Sequence, residues 1–541
     1  MSKIAKYLNE HILGEITASK AVRERFSRDR SVLSIKPELV MFPRVTNDIR
    51  KAARFSWQLA EKGHVLPLTV RGGGSSDTGA AIGKGLVINT TSHLNNIIYI
   101  ALKDRDHFVH VQPGVTFKSL NDALNWHGLS VPTFSSSSMY STIGGAVANN
   151  SGGQFSGTSG LTGDWVKRLE VVLANGDLIE TTRLRKHDVN KKIGEQTFEG
   201  EIYRKLDGLI EDNQVLINEK LTGIGVDNTG YARIAQVKQR DGSFDLTPLM
   251  IGSQGTLGII SEIVLKTDYV SKDFSALAAV VASHEVARDA ADALRGVNAD
   301  SIETIDGALY DQARASGKSY PFFSSTDSDN AIGAVVYAQF NDFNDRARER
   351  KLKKAIKILR KFNAVILTSD DHSMDELSAI RDVAHSIYSS DNGDYSYPPL
   401  LDGASISDGR REEFSGAVYA LAARHHVTLP LHTRVLDGVI YTRPGLQLDK
   451  VSDKQKVFKL INEYAQLVDK CGGTFLADSS EGRLKANAAY SIIDEDVQRL
   501  YEQIRAIFDP FGTLNPGVKQ TSDLKSMVEA LRSSYDTADF I

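Results

Sequence analysis

The stretch with the plainest chemistry is Arg71-Gly72-Gly73-Gly74-Ser75-Ser76-Asp77-Thr78-Gly79, set between Val65-Leu66-Pro67-Leu68-Thr69-Val70 and Gly85-Leu86-Val87-Ile88-Asn89, both of which read as strands. Glycines lack a Cβ, so a run of them lets the backbone take left-handed dihedrals and turn its N–H groups into a concave nest suited to phosphate or pyrophosphate. Ser75, Ser76 and Thr78 add hydroxyls and Arg71 adds positive charge, so the loop reads as an anion cradle. A tight hairpin between two strands is the alternative that the residue types leave open. Two familiar phosphate loops do not match. The dinucleotide fingerprint needs a helix directly after the loop and an acidic residue about 20 positions on, whereas a second strand follows here. A Walker loop needs Lys followed by Ser or Thr, and Gly83-Lys84-Gly85 lacks that hydroxyl.

Two further glycine clusters supply a host for the cradle. One is Ser141-Thr142-Ile143-Gly144-Gly145-Ala146-Val147-Ala148-Asn149-Asn150-Ser151-Gly152-Gly153, and the other is Met250-Ile251-Gly252-Ser253-Gln254-Gly255-Thr256-Leu257-Gly258-Ile259-Ile260. The three in this order resemble the FAD-binding domain of the vanillyl-alcohol oxidase (PCMH-type) superfamily, in the branch of D-lactate, D-2-hydroxyglutarate and glycolate dehydrogenases (FAD-linked oxidase type 4). The tail Phe508-Asp509-Pro510-Phe511-Gly512-Thr513-Leu514-Asn515-Pro516-Gly517 is similar to the terminal signature of that family. The resemblance covers nearly all of the chain from Asp29 to Lys519. It implies an α+β fold: a two-part FAD-binding domain with an inserted ferredoxin-like cap.

On that resemblance, FAD is held by Arg71, Gly72, Gly73, Gly74, Ser75, Ser76 and Gly79, by Pro132 and Ser135 of a proline- and serine-containing loop, and by Ser141, Thr142, Gly144, Gly145, Asn149, Gly152 and Gly153. Gly258, Ile259, Ile260 and Asn515 complete the set, with backbone N–H groups of Thr142, Gly144 and Gly145 and the Asn149 amide turned to the cofactor. The serine run after Pro132 is otherwise a flexible linker. Superfamily members that tether the flavin often have histidine near the first loop, where this chain has Ser75-Ser76, so non-covalent FAD is expected.

The donor side departs from the resembled pattern. Metal-dependent relatives use two histidines and a downstream Glu-His pair, the last histidine being the base. Alignment puts His432 on the first histidine, Tyr441 on the second with two extra residues between them, Asp478 on the glutamate and Ser479 on the base. A divalent site wants three or four suitable ligands, so no metal is expected. His432 and Asp478 are kept as catalytic candidates, Tyr441 is an acid or base candidate by its chemistry alone, and Arg381 matches an arginine used on the substrate carboxylate. The bland reading of Arg381 is a salt bridge with Asp382 or Glu376. The implied reaction transfers hydride from a small D-2-hydroxy acid to flavin N5, with a quinone, an electron-transfer protein or oxygen as acceptor. A metal-independent sugar or alditol oxidase and a catalytically altered FAD-binding subunit are the alternatives.

These residues need elements to hold them. Residues 1–36 read as a helical segment, 37–270 as the FAD-binding domain, 271–475 as the cap and 476–541 as a segment returning to the FAD domain. Within the cap the strand and helix patterns from Ala276 to Thr368 alternate as βαββαβ, the ferredoxin-like order. The basic helix around Arg346–Ala355 reads as a solvated face. A chain of 541 residues exceeds what one core supports. Its net charge of −4 gives no basic field for nucleic acid. A single cysteine, Cys471, rules out a disulfide framework and a cysteine-held iron–sulfur cluster within this chain. The N-terminus has no apolar leader and no run approaches a membrane span. A cytoplasmic protein is expected, with peripheral membrane contact through an acceptor left open.

Overall fold

Apolar residues Ile49, Ala52, Ala53 and Ala60 recur at helical spacing and form the buried side of the helix Thr46–Ala60. In its first turn the buried Asp48 accepts hydrogen bonds from the N–H groups of Leu13, Gly14 and Arg44, which fastens the helix to the chain leading into it. The structure is a computed structural model and describes residues 2–102, 106–133, 139–223, 225–271, 273–323, 332–388 and 395–535. The first sheet contains β1 (Glu15–Thr17), β2 (Leu39–Phe42), β3 (Leu68–Arg71) and β4 (Leu86–Asn89) in the order β1-β2-β4-β3. Strands β2, β4 and β3 run parallel, with Arg71 opposite Asn89, so the glycine loop leaves the end of a fully paired strand. Ahead of β2, two short helices, Ser2–Asn9 and Lys20–Arg25, flank β1, where Ile16 is buried and the strand pairs with β2.

The next strands are β5 (Ile97–Ala101), β6 (Phe108–Val111), β7 (Leu129–Ser130), β8 (Val166–Val172), β9 (Leu178–Thr181) and β10 (Ile259–Lys266). All but β7 make a second sheet, ordered β5-β6-β10-β8-β9, while β7 pairs with β11 (Asp268–Tyr269). Strands β8 and β9 meet at Asn175-Gly176, where Gly176 takes a φ of 84°, open to glycine at no steric cost. The helix Ile143–Asn149 packs against the second sheet, its Ile143, Ala146 and Val147 buried in one cluster with Val171 and Ile263. The tail returns to the first sheet: Leu68 N–H donates to the carbonyl of Thr513 and Asn515 N–H to that of Leu68.

The cap sheet is built from β12 (Ser275–Val281), β13 (Ser301–Asp306), β14 (Ala334–Phe340) and β15 (Val365–Thr368), in the order β15-β12-β14-β13 with all neighbours antiparallel. That is the ferredoxin-like arrangement expected from the pattern. It is then extended beyond β13 by β16 (Ala404–Ser405), β17 (His432–Arg434) and β18 (Val439–Tyr441), in the order β13-β17-β18-β16. Helices His284–Leu294 and Asp345–Leu359 pack one face through Ala287, Ala291, Leu352 and Ala355. The basic residues of the second helix are partly employed: Lys351 and Lys354 donate to the carbonyls of Asn298 and Gly296. The other face carries Ile305 and Tyr337 under the helices Gly307–Ala315 and Met374–Arg381. No helix among the described residues is long and apolar enough to cross a membrane.

Candidate active site

One cleft is lined by Gly72–Ser76 and Thr78, by most of residues 141–153, by residues 258–260, and by charged side chains of the cap. Its glycine wall is shaped by close approach. A Cβ on Gly72 would collide with the Thr142 hydroxyl, and one on Gly73 with the Tyr140 carbonyl. Gly74 turns through a φ of 78°. Ser141 Oγ donates to Ser75 Oγ at 3.0 Å and ties the first two glycine clusters together. No described residue accepts from the N–H groups of Gly73, Gly74, Ser75 or Ser76. The buried hydroxyl of Thr78 faces no partner among the described residues. Unspent donors around a glycine-walled hollow fit the pyrophosphate of FAD.

The structure redistributes several expected cofactor contacts. Arg71 does not reach the cleft: its guanidinium donates to the Arg28 carbonyl at 2.6 Å, lies over the Phe26 ring, and so braces the loop from behind. Gly144 N–H is spent on the Pro113 carbonyl at 2.9 Å and Gly145 N–H on Thr142 Oγ1 at 3.2 Å, so both residues border the cleft as contact surface and not as amide donors. Asn149 Oδ1 accepts from Gln254 Nε2 at 2.9 Å and from Ser480 N–H at 3.2 Å. Asn515 is buried outside the cleft lining. Its amide donates to the carbonyls of Ala80 and Gln254, and its Oδ1 accepts from Thr69 and Arg483, which staples the tail to both glycine loops. Gly79 packs on Leu33 and Pro132 also lies off the lining, while Ser135 falls outside the described residues. Gly152 leaves room for the Asp478 carboxylate, Gly153 accepts from Arg434, and Gly258, Ile259 and Ile260 border the cleft.

The cap's contribution follows from strand register. Glu303 lies opposite Arg434, Ile305 opposite His432 and His432 opposite Tyr441, so Glu303, His432, Arg434 and Tyr441 share one face of the sheet. The helix Met374–Arg381 delivers Arg381 at its last turn, and its opening Ser373 is capped reciprocally by Glu376. Arg381 Nε donates to Glu303 Oε1 at 2.9 Å and its Nη1 to Asp382 at 2.7 Å. The arginine expected on a substrate carboxylate therefore already holds two carboxylates of the protein. His432 Nε2 lies 2.6 Å from Glu303 Oε2. Burial would raise the Glu303 carboxyl, but Arg381 and His432 outweigh it and hold it down at about 2. A carboxylate can only accept, so His432 carries its proton on Nε2.

The second cluster joins the hairpin to the tail. Tyr441 donates to Asp478 Oδ2 at 2.8 Å, and Arg434 Nη2 donates to Asp478 Oδ1 at 2.8 Å and to Asp437 at 2.7 Å. Burial and the neighbouring Asp478 push the Tyr441 phenol well above its ordinary range, against the pull of Arg434. It stays protonated at neutral pH, which removes it as a general base. Lys485 also lines the cleft, fully buried, with Nζ on the Asp402 carbonyl at 2.6 Å and no carboxylate within ion-pair distance among the described residues. Burial lowers its ammonium, opposed by Asp402 and Asp77. Sequence reasoning missed Glu303, Arg434, Lys485 and Gln254. A glutamate inside the apolar run Ser301-Ile302-Glu303-Thr304-Ile305 was the one available signal, since a charge in a buried strand needs a partner. Cys471 is buried beside the Gly472-Gly473 turn, away from the cleft.

A glycine-walled cleft closed by a ferredoxin-like cap with a charged inner face defines a flavin-dependent oxidoreductase fold. The chain belongs to the FAD-linked oxidases: residues 37–182 match the FAD binding domain and residues 270–518 the C-terminal domain of FAD linked oxidases. FAD is its cofactor. It is 25% identical to D-2-hydroxyglutarate dehydrogenase of Haemophilus influenzae, an alignment that covers 97% of this chain and 53% of the relative. The chain thus spans about half the length of the D-2-hydroxyglutarate dehydrogenases it matches first. It is 24% identical to glycolate oxidase subunit GlcD of Bacillus subtilis, with 92% of each chain covered. The fold is shared with 4-ethylphenol oxidase from Gulosibacter chungangensis at a TM-score of 0.65 and 14% identity, covering 97% of this chain and 98% of that one.

Proposed function

We propose that the protein oxidises the carbinol carbon of a small D-2-hydroxy acid, and that electrons leave to a quinone, an electron-transfer protein or oxygen. We keep 37–270 and 476–541 as the cofactor-binding part and 271–475 as the cap. When bound, FAD supplies the two-electron acceptor for the hydride released at that carbon. The observation that carries the proposal is that the glycine wall and the Glu303 face of the cap border the same cleft. With Nε2–H committed to Glu303, Nδ1 is the position of His432 left to take the donor's hydroxyl proton. Glu303 acts through His432: it fixes the ring and its tautomer and balances the charge the ring gains. Arg381, held by Glu303 and Asp382, locks that carboxylate in place. The buried Lys485, a cleft cation without a carboxylate partner among the described residues, supports an acidic donor, since its charge calls for a negative group.

Adding D-2-hydroxyglutarate, D-lactate, glycolate and a set of alditols anaerobically to the oxidised holoprotein tests this reading. Bleaching of the visible flavin band by at least one hydroxy acid is expected. Bleaching by alditols alone moves the donor to neutral polyols, and bound flavin that no donor reduces refutes the proposed oxidation.

A further inference from the structure

His432, Tyr441 and Asp478 fall on the positions that metal-dependent relatives use as ligands, yet the Tyr441 hydroxyl, both Asp478 oxygens and His432 Nε2 are already engaged, which leaves only His432 Nδ1 of this set. His432 Nε2 faces Glu303 at 2.6 Å. Tyr441 keeps its proton and gives it to Asp478 Oδ2 at 2.8 Å, and Asp478 Oδ1 takes Arg434 Nη2 at 2.8 Å. Among the described residues no group of three or more His, Cys, Asp or Glu side chains is arranged to hold an ion. What lies among these residues is a guanidinium. Arg434 is 5.6 Å from the Tyr441 ring centre, its Nε and Nη2 reach Asp437 at 3.3 and 2.7 Å, and its Nη1 reaches the Gly153 carbonyl. The residues do not fit a divalent metal, because filling the site would mean expelling a buried arginine from two carboxylates.

We propose that Arg434 takes the metal's place as the fixed cation of the donor site, and that donor oxidation in this protein is metal-independent. A guanidinium keeps its charge at every working pH, and its planar fork suits two carboxylates at once. Asp437 and Asp478 aim it, and the longer turn between His432 and Tyr441 supplies Asp437. Of its five N–H groups, the four bonds above use all but one, on Nη1, which has no partner among the described residues. Because Arg434 lines the cleft, that N–H is available to the donor's hydroxyl or carboxylate oxygen. The inference rests on the proposed oxidation for its donor, but its metal test does not.

The holoprotein is incubated with excess Mn²⁺ or Zn²⁺, desalted and analysed for metal. Substoichiometric metal is expected, together with unchanged flavin bleaching after EDTA treatment. Stoichiometric metal that survives desalting, or bleaching abolished by EDTA and restored by Mn²⁺, overturns the proposal. In a second arm, Arg434→Met should retain bound FAD but bleach about 100-fold more slowly, the loss typical of one preorganised electrostatic donor, while Arg434→Lys keeps a larger share of the rate. Arg434→Met bleaching at the wild-type rate overturns the proposal. Should Arg434→Met not fold, the metal analysis of the unaltered protein still decides. If no donor bleaches even the unaltered protein, the oxidation reading falls while the metal analysis continues to judge this one.

Discussion

Glu303→Gln is the sharpest perturbation of the cap. It removes the charge from a side chain with no exposed surface and leaves Arg381 with Asp382 alone. Lowering the carboxyl from 4.5 to about 2 corresponds to about 3 kcal/mol, at roughly 1.4 kcal/mol per unit. Breaking one side of a buried pair by mutation costs about 3–5 kcal/mol. The two routes agree on about 3 kcal/mol, or a factor of about 150 in the opening of β13 against β17. The folded value is depressed, so this stabilisation is complete above pH 4.5 and is lost as pH falls through about 2. Amide hydrogen exchange within 301–306 and 432–434 at pH 7 should therefore run about two orders of magnitude faster in the variant. The difference between variant and wild type should narrow as both are taken from pH 5 towards pH 3. Exchange at pH 7 that changes by less than about threefold in these strands would refute the account of Glu303 as an ionised, paired hub.

Other changes test separate parts of the molecule. Gly73→Ala drives a methyl into the Tyr140 carbonyl, and the purified variant should carry little or no FAD by its visible spectrum. Tyr441→Phe removes a phenol that is held protonated, so flavin bleaching should slow by less than about tenfold with an unchanged pH profile between 6 and 9, as expected of a lost hydrogen bond and not of a lost base. Lys485→Met should weaken the apparent affinity for hydroxy acids by about tenfold or more while leaving that for alditols unchanged, measured by bleaching titrations. Lys519→Met breaks a pair in which both side chains are fully buried, Lys519 Nζ to Glu481 at 2.6 Å, and should lower stability by about 3–5 kcal/mol in denaturant titration of the holoprotein.

Much of the architecture was legible because it is local. The flanking apolar runs announce β3 and β4, Asn175-Gly176 announces the β8–β9 hairpin, and the βαββαβ pattern of the cap needs only strand and helix periodicity. The site was only half legible. Glycine clusters reveal where backbone must approach something closely, but not which N–H groups are already taken, as Gly144 and Gly145 show. Arg71 sits beside the loop in sequence and behind it in space, because its long side chain finds the Arg28 carbonyl and the Phe26 ring. Glu303 and His432 lie 129 residues apart and meet through the register of β13 and β17, which no local pattern encodes. The terminal motif implies an asparagine near the flavin, whereas Asn515 lies off the cleft lining as a staple whose side chain is bonded to Ala80, Gln254, Thr69 and Arg483.

The backbone pairing of Leu68 with Thr513 and Asn515 has a consequence for biosynthesis. Strand β3, which feeds the cofactor loop, completes its hydrogen bonding with residues emitted from the ribosome far later, as the separation of 446 between Thr69 and Asn515 records. A closure spanning so much chain is slow and comes late in folding. Nascent protein should therefore stay unpigmented until residues 513–515 are free of the exit tunnel, and messages truncated before that point should yield colourless, chaperone-dependent products.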